Sequence, residues 1–562
     1  MESKNGGLLA DHDRGKYDSS QVHAMIAETD QIQKTGVYRP NIWKYDRIEA
    51  LRNEYADEKY ERMLGKLIGE VQGLLSNTAD TWEKLELLDN MEKLGLTYLF
   101  EHEIKKVLDT LVSNNNLNLD GEKDLYNTAL FFTVLRKHGF HVSQDMFADL
   151  VDNTHSDMKA MLKLFEASHL AFEGENILDR ANLISRNYLK SIGSSAEDAS
   201  LANVTRSLKD PYNIWYNVKT QIRFHGKNTN SSSHLLNLAR YNFNMIQATH
   251  QKEVKELLRW WKALDLKRSL PFIRNRVMES FVCAVGIVSE PKYGSLRNWL
   301  TKSITLILVL DDVFDASGCT LEELENFTSA LNRWDGEQNE KLSAGMNICL
   351  QTLYDTIKNI ASEIEDVYGW NSVSPHLQKA WTTFCQSMLK EARWFNTKYT
   401  PSLKEHTDNG RNSSSGPLLS LHIFFALVTK TEPNQVIELL QCTAKHQHNV
   451  ALIFRLCNDL GNYAVEIERS DASSSIQCIM QEQGVSEEVA RDQIKHMIAN
   501  AWKKINYQCQ TQSPLLQPYL KYSANIARVA HVVYHNGDGV SNADGMTRNQ
   551  VMDLLSEPLL LT

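Results

Sequence analysis

In Leu300-Thr301-Lys302-Ser303-Ile304-Thr305-Leu306-Ile307-Leu308-Val309-Leu310-Asp311-Asp312-Val313-Phe314-Asp315, an almost unbroken apolar run from Ile304 to Leu310 leads into three carboxylates within five residues. Read as helix, Leu300, Ile304, Leu308, Asp311 and Asp315 recur at 4-4-3-4 spacing and share one face. That face is greasy for two turns and then acidic for one. A carboxylate on a core-facing stripe is costly unless something pairs with it. No Lys or Arg stands three or four residues from Asp311 or Asp315, so no local partner exists and a bound cation is the economical one. The plainer alternative is a solvated helix end, closed by Ala316-Ser317-Gly318.

Two further constellations bear on that choice. In Arg455-Leu456-Cys457-Asn458-Asp459-Leu460-Gly461-Asn462-Tyr463-Ala464-Val465-Glu466, the residues Asn458, Asn462 and Glu466 recur every four positions, with Arg455 one turn earlier on the same side. Ile453, Leu456, Leu460, Tyr463 and Ile467 form the packing side. A blander reading stays open, in which Arg455 pairs with Asp459 and Glu466 with Arg469 as local bridges on a wet face. The third constellation is Arg274-Asn275-Arg276, some 37 residues before Asp311. Two arginines clamp an anion only if a loop or helix end lets them converge, and each then offers bidentate donors to phosphate oxygens. Taken together, carboxylate and amide oxygens without His or Cys select a hard cation, Mg²⁺ above all, bridging protein carboxylates to phosphate. No Gly-rich phosphate loop of the GxxxxGKS kind occurs, which argues against a nucleotide hydrolase.

The rest of the chain frames such a site. Its 562 residues exceed one core and predict two domains. Gly and Pro are sparse and no stretch alternates with period two, so the fold class is all-α. Amphipathic helices are expected at Tyr60–Ile68, Trp82–Leu94 and Asp124–Lys137, with a loop at Gly193–Ser200. Residues 1–34 read as a mobile segment, 35–225 as an N-terminal helical domain, 226–233 as a linker and 234–562 as a C-terminal helical domain. Breaks in the second half are expected at Glu290-Pro291, Asp315–Cys319, Asn371–Pro375 and Asp408–Pro417. In the last of these, Ser413-Ser414-Ser415-Gly416-Pro417 is either a helix interruption that frees backbone carbonyls or a surface turn. The net charge of -10 argues against nucleic-acid binding. Eight widely spaced cysteines without CxxC read as reduced core residues. No apolar run reaches the ~18–20 residues of a membrane span. An acidic N-terminus without an apolar h-region points to the cytoplasm.

At these residues the sequence resembles the plant terpene synthases that ionise a prenyl diphosphate. The resemblance extends from Tyr38-Arg39-Pro40-Asn41-Ile42-Trp43 to the C-terminus. It rests on DDxxD at 311–315, the (N/D)Dxx(S/T/G)xxxE pattern at 458–466, Arg-x-Arg at 274–276, Arg259-Trp260-Trp261 and the Gly537-Asp538-Gly539 loop after Tyr534. Within the family, Phe281–Gly286, Ala501–Lys504 and Ala527–His531 are closest to the α-farnesene synthases. The resemblance implies an N-terminal barrel-like helical domain and a C-terminal bundle holding the chemistry. It implies three Mg²⁺ (or Mn²⁺) ions, with Asp311 and Asp315 on one wall and Asn458, Asn462 and Glu466 on the other. Arg274, Arg276 and Arg455, with Asp311, Asp315 and Asn458, would meet the substrate. Asp311, Asp312, Asp315, Tyr534 and Asp538 would serve the chemistry, and the protein would act as a monomer.

The departures from the family pattern carry information too. Gln33-Lys34 replaces the paired arginines ahead of Trp43, Asn462 replaces Ser or Thr, and Asn275 replaces Asp. Cys283 stands where cyclising relatives often carry Trp, and Ser474 where relatives offer a lysine. Phe314, Trp394, Phe395, Tyr534 and Phe424 are candidate aromatic walls for a cation, with packing the stronger expectation for Phe424. Poor support for cyclisation and a cytosolic location together predict farnesyl diphosphate as substrate and an acyclic olefin, (E,E)-α-farnesene, as product. An acyclic monoterpene or terpene-alcohol synthase that also accepts geranyl diphosphate is the alternative. A weakly active scaffold and a chain-elongating prenyltransferase also stand, and the second aspartate-rich motif expected of the latter is missing.

Overall fold

A computed structural model describes residues 41–561, apart from 114–123, 153–156, 193–203, 206, 209–210, 213–217, 226–232, 316–318, 371, 429–432, 470–473 and 541–544. The expected N-terminal segment, Gln33-Lys34, the Gly193–Ser200 loop and all of the linker but Ser233 lie outside the described residues, as does the Glu466 side chain. The described chain is helical, with no β-strand element among the described residues. The three expected N-terminal helices are present at Glu58–Asn77, Thr81–Lys93 and Leu125–Lys137. Asp80 and Asp124 cap the second and third by accepting from backbone N–H groups of the first turn.

The apolar faces of these helices close two small cores. One gathers Val71, Leu85, Phe100, Ile104 and Leu130, and the other Phe132, Phe147, Phe165 and Leu178. A much larger core runs from Val254 to Leu555. Two stretches cross between these bodies. The long helix Ser233–Leu264 gives Leu238 and Phe243 to an N-terminal core and Val254, Leu257 and Trp261 to the large one. In return, Trp43 and Ile48 pack in the large core. Polar ties reinforce the seam: the Asn506 amide donates to the His169 and Ala171 carbonyls at 2.9 and 3.1 Å.

The break expected at Asp315–Cys319 falls largely on residues outside the described ones, the one expected at Asn371–Pro375 ends by Ser372 because the helix Val373–Thr397 runs through Pro375, and the other two follow Pro and Gly. The chain stops at Val288–Glu290 and restarts through Pro291. The helix Ala344–Tyr368 ends on Gly369 at φ 67°. The Asp408–Pro417 break is narrower than its composition implies, because Ser402 caps a helix that continues to Ser413. Only Ser414 and Ser415 interrupt it, Ser415 at φ 63°, before Gly416–Leu427 begins. Both serines are buried, so this is an interior interruption rather than a surface turn. All eight cysteines are free. No helix among the described residues is long and apolar enough to cross a membrane.

Candidate active site

The aspartate helix spans Gly294–Asp315. Its predicted stripe opens stepwise along the axis: Leu300 and Ile304 are buried, Leu308 is half-buried, the Asp311 side chain is 34% exposed and Asp315 is exposed. Asp312, between the two, is buried. The sequence gives Asp311 no local partner, but the fold supplies a distant one. Arg274 leads out of the extended stretch before the helix Val277–Ile287, and its Nη2 bonds Asp311. Its Nε lies 2.6 Å from Asp312 Oδ1, and its backbone N–H donates to Asp312 Oδ2 at 2.5 Å. A guanidinium therefore occupies the place that residue spacing alone assigned to a cation. Burial holds the Asp312 carboxyl up at about 6, with Arg274 pulling it down and Asp311 pushing it up.

Arg276 stands two residues after Arg274. It is the N-cap residue of Val277–Ile287 and is buried. Burial draws its pKa down, against the charge of Glu279, and Asp312 and Asp538 lie close enough to add to that field. The backbone around these arginines is held from the N-terminal side. Tyr45 Oη donates to Asn275 Oδ1 at 2.6 Å, and Trp43 Nε1 donates to Glu279 Oε1 at 2.9 Å. The sequence singled out Asn275 as a departure without showing that its acceptor meets a residue 230 positions away. Removing that bond with Tyr45→Phe is expected to cost about 1 kcal/mol and to lower kcat/KM roughly fivefold. Chemical denaturation and steady-state kinetics on the same preparation read both effects.

The asparagine helix spans Pro433–Arg469. Asn458 and Asn462 are half-buried on one face, while Ile453, Leu456 and Tyr463 are buried on the packing side. Ile467, expected on that packing side, is 47% exposed because the apolar core ends before it. The wet-face reading of Arg455 and Asp459 is half right. The pair exists, with Nε 2.9 Å from Oδ1, but Asp459 is fully buried and Arg455 nearly so. Asp459 Oδ2 also accepts from the Ser475 backbone N–H at 2.9 Å and from the Ser475 hydroxyl, and it lies 2.9 Å from His406 Nε2. Burial opposes ionisation here, yet Arg455 and His406 hold the Asp459 carboxyl well below the usual carboxylate range. The sequence reading missed Asp459, His406 and Ser475 as site-building residues. The one available signal was a charge beside Asn458 with an arginine four residues before it.

Tyr534 brings the two walls together. It caps the C-terminus of Gln517–Val533 and packs edge-on to Phe454 at 5.8 Å. Burial raises its hydroxyl pKa well above the ordinary value, as does the charge of Asp538; Asn458 offsets this by hydrogen bonding, while Cys283 and Asp311 add to it. Asn458, Asp538, Cys283 and Asp311 all act on this one phenol. Burial pushes the Cys283 thiol up to about 12. Gly461 permits this approach: a Cβ there would stand 2.7 Å from the Tyr534 carbonyl oxygen. Gly410 does the same for Arg455, whose Cγ would lie 2.7 Å from an added Cβ.

Other expected residues sit elsewhere. Phe424 is in the core against Trp370, Phe425 and Tyr519, as packing predicted. Phe395 is half exposed at the end of Val373–Thr397 and does not line an interior wall. Trp394 lies between Lys390 and Tyr399 near the same end. Phe314 is buried against Phe327. Ser474, where a lysine was of interest, caps Ser475–Gln483 through a capping box with Gln477. Among the described residues no group of three or more His, Cys, Asp or Glu could hold a metal on its own. The donors of the two walls are carboxylate and amide oxygens, which suit a hard divalent cation such as Mg²⁺.

Comparison with known proteins agrees with this geometry. The family model described as the terpene synthase family metal binding domain matches residues 262–504, and that for the terpene synthase N-terminal domain matches 42–208. The chain is 43% identical over 557 residues to an alpha-farnesene synthase of Ricinus communis, covering 97% of this chain and 98% of that one. It is 43% identical over 545 residues to an (E,E)-alpha-farnesene synthase of Malus domestica, covering 94% of each. Among solved structures, isoprene synthase from grey poplar leaves, in complex with three Mg²⁺ ions and dimethylallyl-S-thiolodiphosphate, superposes with a TM-score of 0.84 at 36% identity, covering 92% of this chain and 99% of that one. Similarity that runs almost end to end, over both helical bodies and both walls of the site, means that the chain belongs to the terpene synthase family.

Proposed function

We propose that this terpene synthase is a sesquiterpene synthase that ionises farnesyl diphosphate and releases an acyclic olefin, (E,E)-α-farnesene. The observation that carries the reading is the meeting of the two polar walls at Tyr534, with Cys283 beside it. Identity of 43% to two alpha-farnesene synthases over nearly the whole chain supports the same product.

Asp311 and Asp315 from one helix, and Asn458, Asn462 and Glu466 from the other, are the residues that would hold divalent metal ions. Such ions supply Lewis acidity to the departing diphosphate. Arg274 and Arg455 would take the charge that develops on the leaving group. Each is engaged with a carboxylate in the structure, Arg274 with Asp311 and Arg455 with Asp459, so substrate charge competes with an existing partner. Arg276 contributes from further inside, as part of the field around Asp312 and Asp538. After ionisation the allylic cation needs a dry pocket, and a small Cys283 leaves room there for an extended chain. Proton loss ends the reaction, with the released diphosphate as base and Tyr534 and Asp538 nearby.

The alternative, an acyclic monoterpene or terpene-alcohol synthase that also accepts geranyl diphosphate, draws on the 36% identity over 545 residues to a (-)-alpha-terpineol synthase of Vitis vinifera. Incubation of purified protein with Mg²⁺ and either farnesyl or geranyl diphosphate, followed by gas chromatography, separates the readings. A dominant acyclic C15 olefin is expected. A mainly cyclic profile, or turnover confined to geranyl diphosphate, would overturn the reading.

A further inference from the structure

Behind the asparagine wall lies a fully buried polar knot that joins three helices. His406 comes from Leu403–Ser413, Arg455 and Asp459 from the asparagine helix, and Ser475 from the start of Ser475–Gln483. His406 and Asp459 are both essentially sealed from solvent. His406 Nε2 stands 2.9 Å from Asp459 Oδ2 and 3.3 Å from Arg455 Nε. It cannot serve both neighbours in the same way. Facing a carboxylate it must donate, and facing a guanidinium N–H it must accept. The Arg455 Nε–H is directed at Nε2, so this one ring nitrogen is held between the guanidinium and the carboxylate. Arg455 Nε also lies 2.9 Å from Asp459 Oδ1 as an ion pair. His406 Nδ1 has no hydrogen-bond partner among the described residues, so the ring is fixed by its Nε2 end alone.

We propose that His406 is a positioning residue: standing between Asp459 Oδ2 and the Arg455 Nε–H, it fixes the Nε end of Arg455 beside Asp459, so that the Nη end of the guanidinium is aimed for diphosphate. The inference rests on the functional reading above, in which Arg455 meets the leaving group. The remaining contacts serve the same arrangement. Ser475 gives Asp459 Oδ2 two donors that do not depend on His406, its backbone N–H and its hydroxyl. Glu391 Oε1 lies 3.5 Å from Arg455 Nη1 and also accepts from Ser413 and Asn409, which keeps it from drawing Arg455 fully to itself. Without His406, the Arg455 Nε–H loses the partner it is directed at, and the guanidinium can turn to grip Asp459 with two of its nitrogens, lowering its availability to an incoming anion.

The test is Mg²⁺-dependent binding of inorganic diphosphate to the full-length chain, measured by calorimetry, with circular dichroism and melting curves as controls. His406→Ala is expected to weaken binding about tenfold. His406→Gln, whose side-chain amide reaches the position of Nε2, is expected to restore it to within about twofold. In an Arg455→Ala background His406→Ala should add less than about twofold, because both act through one group. Wild-type affinity in folded His406→Ala, or a full tenfold loss that persists without Arg455, overturns the proposal. If His406→Ala does not fold, Ser475→Ala is read instead: it removes one donor to the same oxygen, a twofold to threefold weakening supports the proposal and unchanged affinity overturns it. Absence of diphosphate binding in the unaltered protein overturns the functional reading together with this inference. Diphosphate binding by the unaltered protein that His406→Ala leaves undiminished overturns the inference alone.

Discussion

Asp311→Asn is expected to lower kcat/KM for the prenyl diphosphate by about 10³-fold while the protein stays folded. The two halves of that statement have separate grounds. Asp311 is one-third exposed, and its partner Arg274 keeps Asp312 as a second carboxylate at 2.6 Å. The substitution therefore strands no buried charge, and its effect on stability should stay within about 1 kcal/mol. Catalysis has no such reserve. The carboxylate is the charged oxygen at the opening of the acidic wall, and an amide of the same shape keeps the oxygen but loses the charge. Rates from gas-chromatographic product yield, set beside denaturation curves, check both halves. Activity within tenfold of the unaltered protein would remove Asp311 from the centre of the site. Asp312→Asn should behave differently: that carboxyl is buried, accepts from the Arg274 backbone N–H and forms an ion pair with its guanidinium, so stability and activity should fall together.

The contrast between these neighbours shows how far the sequence could be read. A charge on a greasy helical face is a local contradiction, visible from spacing alone, and it singled out Asp311 and Asp315 as candidates. The all-α class was legible for a similar reason, since helical periodicity recurs from Tyr60 to Val533 with no run of period two. What spacing cannot supply is the identity of partners distant in the chain. Arg274 lies 37 residues from Asp311, and His406 lies 53 from Asp459. From the sequence, Arg455 and Asp459 looked like an ordinary surface pair, because an i,i+4 bridge carries no mark of depth. Only the packing of Leu403–Ser413 and Ser475–Gln483 over that turn makes it dry. Phe395 fails for the converse reason. Its helix is buried along most of its length, and no residue in it announces where the core stops.

Asp459→Asn should cost about 3–5 kcal/mol of stability, far more than Asn462→Ala on the next turn of the same helix. The side chain is completely buried and meets donors from two sides. Ser475 N–H, the Ser475 hydroxyl and His406 Nε2 converge on Oδ2, while Arg455 Nε faces Oδ1. An asparagine must present its NH₂ to one of these sides. Turned toward Ser475 it sets N–H against N–H, and turned toward Arg455 it sets two donors against each other beside a buried cation. Asn462 is half-buried on the open face, so truncating it touches activity and hardly stability. The pH dependence follows from the sign of the Asp459 shift. Its folded pKa is depressed, so its contribution is fully present above the unfolded value of about 3.9 and is lost as pH falls through the lower folded value. From pH 5 to 8 the unaltered protein and Asp459→Asn should therefore differ by a constant amount in denaturation midpoint, and the gap should narrow only under strongly acidic conditions. A gap that closed near neutrality would mean that Asp459 is not the ionised anchor of this turn.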